Sequence, residues 1–74
     1  MLSFEVLEGG KIIQIYCDSD GMATLVETLE SLVRQSGHKH LRGPSAGGQA
    51  LSETTPFGDP AVGEVIIDFN PNYA

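Results

Sequence analysis

The feature that most constrains this chain is an amphipathic segment, "DSDGMATLVETLESLVRQSG", which occupies residues 18–37. Its apolar side chains recur at the i, i+3, i+4, i+7 spacing of a helix with one buried stripe. A polar side chain at residues 18–20 can cap the start, and Gly37 suits a left-handed end. The spacing predicts a helix over residues 19–36, with its core side chains among Leu25, Leu29 and Leu32. The whole stripe comprises Met22, Leu25, Val26, Leu29, Leu32 and Val33.

Segments with strand character lie on both sides of this helix and supply a sheet against which its stripe can be buried. Residues 2–17 alternate around Gly9-Gly10, which is a two-residue hairpin turn signal. Residues 38–42 and 62–69 predict two further strands. The order predicts an α+β, ββαββ domain, a largely antiparallel four-stranded sheet with one helix packed on one face. Alternation predicts these core positions in the first hairpin: Phe4, Val6, Ile13 and Ile15.

The chain length predicts a single domain over residues 1–74, because so short a chain supports only one small core. Between the last two predicted strands lies a long loop, residues 43–61, that is rich in glycine, proline and serine. Loops longer than about 12–15 residues are uncommon in compact domains and are usually functional or mobile. Residues 70–74 are predicted to be a frayed tail.

The charge balance narrows the classes of partner. Ten acidic residues and four basic ones give a formal net charge of −6. This charge repels phosphate backbones and acidic membrane surfaces, so we expect neither nucleic acid nor a membrane as partner. It favours a protein with a basic contact surface, although solubility alone is an alternative reason for it. The single Cys17 and the absence of a signal-peptide pattern predict a cytoplasmic protein.

Three patterns could carry chemistry. His38 and His40 have the period-two spacing that places both imidazoles on one face of a strand, but no third or fourth metal ligand has a diagnostic spacing. The run "GPSAGGQ" lacks the Gly-Lys-Ser/Thr ending of a phosphate-binding loop. Cys17 or a serine paired with a histidine would be only a loose nucleophile–base combination. We therefore expect no metal, no other cofactor and no enzymatic activity.

The predicted sheet has a second face that no helix is left to cover. Its mixture of apolar, aromatic and polar side chains suits a protein contact surface. The alternative is an ordinary antiparallel sheet with a solvated outer face. The residues predicted to bind a partner, on this face and in the long loop, are Tyr16, His38, His40, Glu53, Phe57, Asp59, Glu64, Ile66 and Asp68.

The stretch "HKHLRGPSAGGQALSE", residues 38–53, resembles the signature of the immunity protein 32 family of bacterial polymorphic toxin systems. In that family a strand with His-Leu leads into Pro-Ser, Gly-Gly and Leu-Ser pairs. The family commonly has a tryptophan before the paired glycines, where this chain has Ala46. The matching positions here are His40-Leu41, Pro44-Ser45, Gly47-Gly48 and Leu51-Ser52.

The resemblance implies a cytoplasmic protein that binds and neutralises a cognate toxin, and the predicted partner is a toxin with a basic contact surface. The stretch 38–53 would then be a strand and an ordered loop that shape a binding surface. The alternative from a different class is a small structural or regulatory subunit. Such a subunit would form a homodimer through its uncovered sheet face or an edge strand.

Overall fold

The computed structural model describes residues 1–74 and has the predicted ββαββ order, which confirms the α+β class. Two strands precede a single α-helix and two follow it, and the two hairpin-like pairs are both antiparallel. The elements are β1 (Leu2–Leu7), β2 (Ile12–Cys17), α1 (Ser19–Arg34), β3 (Gly37–Arg42) and β4 (Glu64–Phe69).

The strands form two separate pairs, β1–β2 and β3–β4, so the predicted single four-stranded sheet is wrong in this respect. The segment between β3 and β4 lies along the free side of β1 instead. The amide of Ser52 donates to the carbonyl of Leu2 at 2.8 Å, and the amide of Val62 donates to the carbonyl of Phe4 at 2.9 Å. These bonds satisfy β1 carbonyls that a neighbouring strand would otherwise pair, which is why the sheet is interrupted there.

The β1–β2 turn is longer than the two glycines predicted. In the pairing register Leu7 lies opposite Ile12, so the connection contains four residues. Glu8, Gly9 and Gly10 have φ angles of 52°, 65° and 93°. Three successive residues in the left-handed region explain why two of them are glycines.

The core lies where α1 crosses the two strand pairs. Its buried apolar side chains are Leu2, Phe4, Leu32, Leu41 and Leu51. The prediction for Phe4 is confirmed, whereas those for Val6, Ile13 and Ile15 are wrong, because all three are exposed. α1 begins two residues after β2 and therefore covers the Leu2 end of the hairpin, leaving the end near the turn without cover.

The helix begins as predicted and ends two residues early. The carboxylate of Asp18 accepts a hydrogen bond from the amide of Gly21 at 2.9 Å, which caps the first turn. The helix ends at Arg34, and Gly37 is the first residue of β3, with φ 144°. Leu32 is buried and Leu25 packs against the core, as predicted. Leu29 is 45% exposed, so its predicted core position is wrong.

The predicted long loop, residues 43–61, has structure of its own. A short 3-10 turn covers Pro44–Ala46, and Thr54 forms an isolated antiparallel bridge with Pro60. Between these two residues the buried Thr55 hydroxyl accepts from two backbone amides at 3.2 Å each. The tail, predicted to be frayed, carries a turn closed by the Asn70 side chain. None of the helical segments has the length and apolar character that crossing a membrane requires.

Candidate contact surfaces

The outer face of β3–β4 carries a cluster of two histidines, an arginine and a glutamate. The rings of His38 and His40 meet edge to face, with centroids 5.1 Å apart. Nδ1 of His40 lies 2.7 Å from a Glu64 carboxylate oxygen, to which Nε of Arg42 also donates at 2.9 Å. The antiparallel register brings these groups together, because Arg42 lies directly opposite Glu64. We call His38, His40, Arg42 and Glu64 the histidine–carboxylate cluster.

The cluster stabilises the charged form of its glutamate. Hydrogen bonds from His40, first, and from Arg42 lower the pKa of the Glu64 carboxyl below its ordinary value. The carboxylate is therefore occupied by two partners of its own chain. It presents a compensated charge to any other molecule, whereas Asp68, opposite His38 on the same face, is exposed.

The lowered pKa of Glu64 predicts a contribution to acid stability. A carboxyl group with a depressed pKa in the folded state stabilises the fold above its unfolded pKa, and this contribution is lost as the pH falls through the folded pKa. We expect the Glu64→Gln variant to show a flatter loss of unfolding free energy than the parent between about pH 6 and pH 3. Urea unfolding at a series of pH values measures this.

Glu27→Gln is the matched control, because it removes an exposed carboxylate from α1. This control should keep the pH dependence of the parent. Identical curves for the parent and Glu64→Gln would show that the ion pairs with His40 and Arg42 do not persist in solution.

A second surface is formed by two aromatic rings, Tyr16 and Phe57, which we call the aromatic pair. Their centroids are 6.1 Å apart, with an interplanar angle of 69°, so the rings meet edge to face. The Tyr16 hydroxyl donates to Glu5 at 2.9 Å, and this hydrogen bond raises the pKa of the Tyr16 phenol. The carboxylate of Asp59 adds to that rise. Phe57 is 79% exposed, so most of its side chain is open to solvent.

The loop that carries Phe57 is held by its own hydrogen bonds. The Thr55 hydroxyl accepts from the amides of Phe57 and Asp59. The amide of Gly58 donates to the Thr55 carbonyl at 3.0 Å, and Gly58 has φ 86°. The position of the Phe57 ring is thus set by a turn around a buried threonine.

Two other predicted binding residues, Ile66 and Glu53, have different surroundings in the structure. Ile66 is exposed on the outer face of β4, beside the histidine–carboxylate cluster. Glu53 instead binds within the chain, because its carboxylate accepts from the Ser45 amide at 2.6 Å. This carboxylate lies so close to Gly43 that a Cβ there would meet it at 2.6 Å. Glu53 therefore orders the loop after β3 and is not a free contact group.

A third surface, which is apolar, was not predicted from the sequence. It lies on the β1–β2 face that carries Leu2 and Phe4, toward the turn, where Val6 and Ile13 are exposed. The signal that could have found it is the hairpin length, because one helix that starts at the far end of β2 cannot cover the whole face. The apolar stripe of α1 predicts a core face, with a partner-binding face as the alternative, and four of its six side chains are exposed.

The histidines and the cysteine on and near these surfaces have few partners. Nowhere do three or more His, Cys, Asp or Glu side chains come together in a group that could hold a metal ion. His38 and His40 adjoin each other, but the nearest additional partner of His40 is a glutamate that also binds Arg42. Cys17 is half-buried against the core, so its thiol is not part of an open cleft.

No family model matches the chain, and no curated protein or solved structure matches it either. What the chain does is therefore inferred from its own residues.

Proposed function

We propose that this chain is a small acidic binding protein of the cytoplasm that neutralises a bacterial toxin by stoichiometric binding. The main observation behind the proposal is the aromatic pair, in which the largely exposed Phe57 ring contacts the Tyr16 ring edge to face. Exposed aromatic side chains at fixed positions are the usual anchors of protein interfaces. The resemblance of residues 38–53 to immunity protein 32 supplies the class of partner.

The turn around Thr55 makes Phe57 a good anchor. The hydroxyl and carbonyl groups of Thr55 accept three hydrogen bonds, which the backbone amides of residues 57–59 donate. A loop that is already ordered loses less conformational entropy when it binds, so more of the contact energy appears as affinity. The loop of the resembling segment is ordered in the same way, by Glu53 and the amide of Ser45.

The charge of the chain supports a partner with a basic contact surface. The formal net charge is −6, and Asp59 lies close enough to Tyr16 to affect its pKa. Asp68 is exposed on the outer face of β4. Such charges accelerate encounter with a basic partner more than they tighten the final complex, and added salt weakens their effect.

The proposal predicts protection and co-purification. When the chain is co-expressed with the toxic product of the adjacent gene, we expect the cells to survive and the two proteins to purify at a fixed ratio. Titrating the chain's expression distinguishes binding from catalysis. Protection by amounts far below those of the toxin would mean that the chain acts catalytically and that the proposal is wrong.

Two variants test the surface itself. Phe57→Ala should speed dissociation by at least about 30-fold, because truncating an interface anchor costs about 2 kcal/mol or more. Gln35→Ala, at an exposed position outside the predicted set and outside residues 38–53, should not change the dissociation rate. Asp59→Asn should slow association, whereas Glu27→Gln makes the same charge change on α1 and should slow it less. Equal effects of Asp59→Asn and Glu27→Gln would show that only the net charge matters.

A further inference from the structure

An apolar groove opens on the β1–β2 face beyond the helix. Its volume is about 510 Å³. One wall comes from the strands near the hairpin turn, and the other from residues at the start of β4. Glu64 is the only charged side chain on its lining, and that carboxylate already binds Arg42 and His40. The apolar lining comprises Phe4, Val6, Ile13, Ile15, Val62 and Val65.

The helix carries a matching apolar ridge. Leu25 and Leu32 point to the core, and four further apolar side chains at i, i+4, i+7 and i+11 remain exposed beside them. Val33 is the most open, at 78% exposed. A helix in a single small domain normally buries such a stripe. The exposed side chains, which we call the helix ridge, are Met22, Val26, Leu29 and Val33.

The single chain also exposes more surface than a compact monomer of its size. Its accessible surface is 5089 Å², against roughly 4,400 Å² for a monomeric protein of 7.9 kDa. Its radius of gyration is 12.8 Å, where a compact chain of this length has about 11 Å. The excess, roughly 700 Å², is close to the roughly 800 Å² that each partner buries in a standard interface.

We propose that the occupant of the groove is a second copy of this chain, with the helix ridge of each copy packed into the apolar groove of the other. One chain supplies both a concave and a convex apolar surface, and a two-fold axis makes the same contact twice. Burial of both surfaces removes the excess exposed area without burying an uncompensated charge, because Glu64 keeps its partners.

This proposal does not depend on the toxin-binding function. The two can be distinguished because added salt should have opposite effects on self-association and on binding to a basic partner. Two chains of formal charge −6 repel each other, so added salt should strengthen self-association. Binding to a basic partner should be weakened by the same salt. The dimer uses the groove and the ridge, whereas Phe57 and Asp59 are exposed and lie outside both surfaces.

Sedimentation velocity over a series of chain concentrations tests the proposal. We expect a species of twice the chain mass whose population rises with concentration and with salt. Ile13→Glu in the groove and Val33→Glu in the ridge should each weaken self-association by more than about 100-fold, since each places a charge in an apolar contact. Ile66→Glu is the matched control on the outer face and should leave the dimer intact.

Mixing the two variants tests the pairing of ridge with groove. An Ile13→Glu chain keeps its ridge and a Val33→Glu chain keeps its groove, so the mixture recovers one of the two contacts and should associate where neither variant does alone. Circular dichroism checks that each variant is folded, and Ile13→Thr with Val33→Gln replaces the pair if one is not. A monomer at every concentration, loss of the dimer in Ile66→Glu, or no recovery on mixing would each overturn the proposal.

Discussion

The Leu32→Ala variant is expected to lose about 2–5 kcal/mol of unfolding free energy. Leu32 is 3% exposed and is the most deeply buried side chain of α1. A chain of this length has a stability of only about 4–11 kcal/mol. The loss would therefore remove a large share of the stability, which urea titration followed by circular dichroism would quantify.

Leu29→Ala is the matched comparison, because it makes the same change one helical turn away at a side chain that is 45% exposed. In a single chain we expect it to lose less than about 1 kcal/mol. Equal losses at low chain concentration would mean that the helix buries Leu29 as deeply as Leu32. A loss at Leu29 that grows with chain concentration would instead reflect the dimer, whose stability depends on concentration.

The helix α1 could be predicted from the sequence because its N-terminal cap and its apolar spacing depend only on residues that are close together in the chain. Asp18 is three residues from the amide that it caps, so a cap within residues 18–20 could be predicted from spacing, which left the choice among the three residues open. The stripe also predicted the burial of Leu32. It did not predict which part of the stripe would be covered, because that depends on the width of the surface that the helix meets.

The errors in the predicted sheet have the same cause, because a local pattern does not show what covers a residue. Alternation predicted that Phe4 and Val6 share a face, which is correct, but alternation contains no information on what covers each position. The interrupted sheet depends on Ser52 and Val62 bonding to the free side of β1. Ser52 belongs to a segment with no strand periodicity. Val62 is predicted as the first residue of the last strand, but that strand begins only at Glu64, so neither hydrogen bond to β1 could be predicted from local pattern.

The sequence predicted single residues of the candidate surfaces, but it did not predict which of those residues lie in contact. Tyr16 and Phe57 were both predicted contact residues, but their meeting depends on a turn that forms around Thr55. Glu53 is a predicted contact residue because charge alone does not show that a carboxylate has a partner in its own chain. The Ser45 amide is that partner, and it lies on a different turn of the loop.

The second large effect is expected at Gly21, in the first turn of α1. A Cβ at this position would lie 1.8 Å from the carbonyl oxygen of Met1 and 2.6 Å from its carbon. That carbonyl accepts from the Asp18 amide at 3.1 Å, so it cannot move away without breaking the junction between β2 and α1. We expect Gly21→Ala to lower the unfolding free energy by about 1–3 kcal/mol, as overpacking does.

Helix propensity alone predicts the opposite sign, because alanine is better than glycine in a helix by about 1 kcal/mol. Ala23→Gly, two residues away at an exposed position, isolates this propensity and should lose about 1 kcal/mol. Urea titration of both variants separates the two effects, since only the Gly21 variant meets the Met1 backbone. A gain in stability for Gly21→Ala would show that α1 does not approach β1 this closely, and the cover over Leu2 would then have to come from elsewhere in the chain.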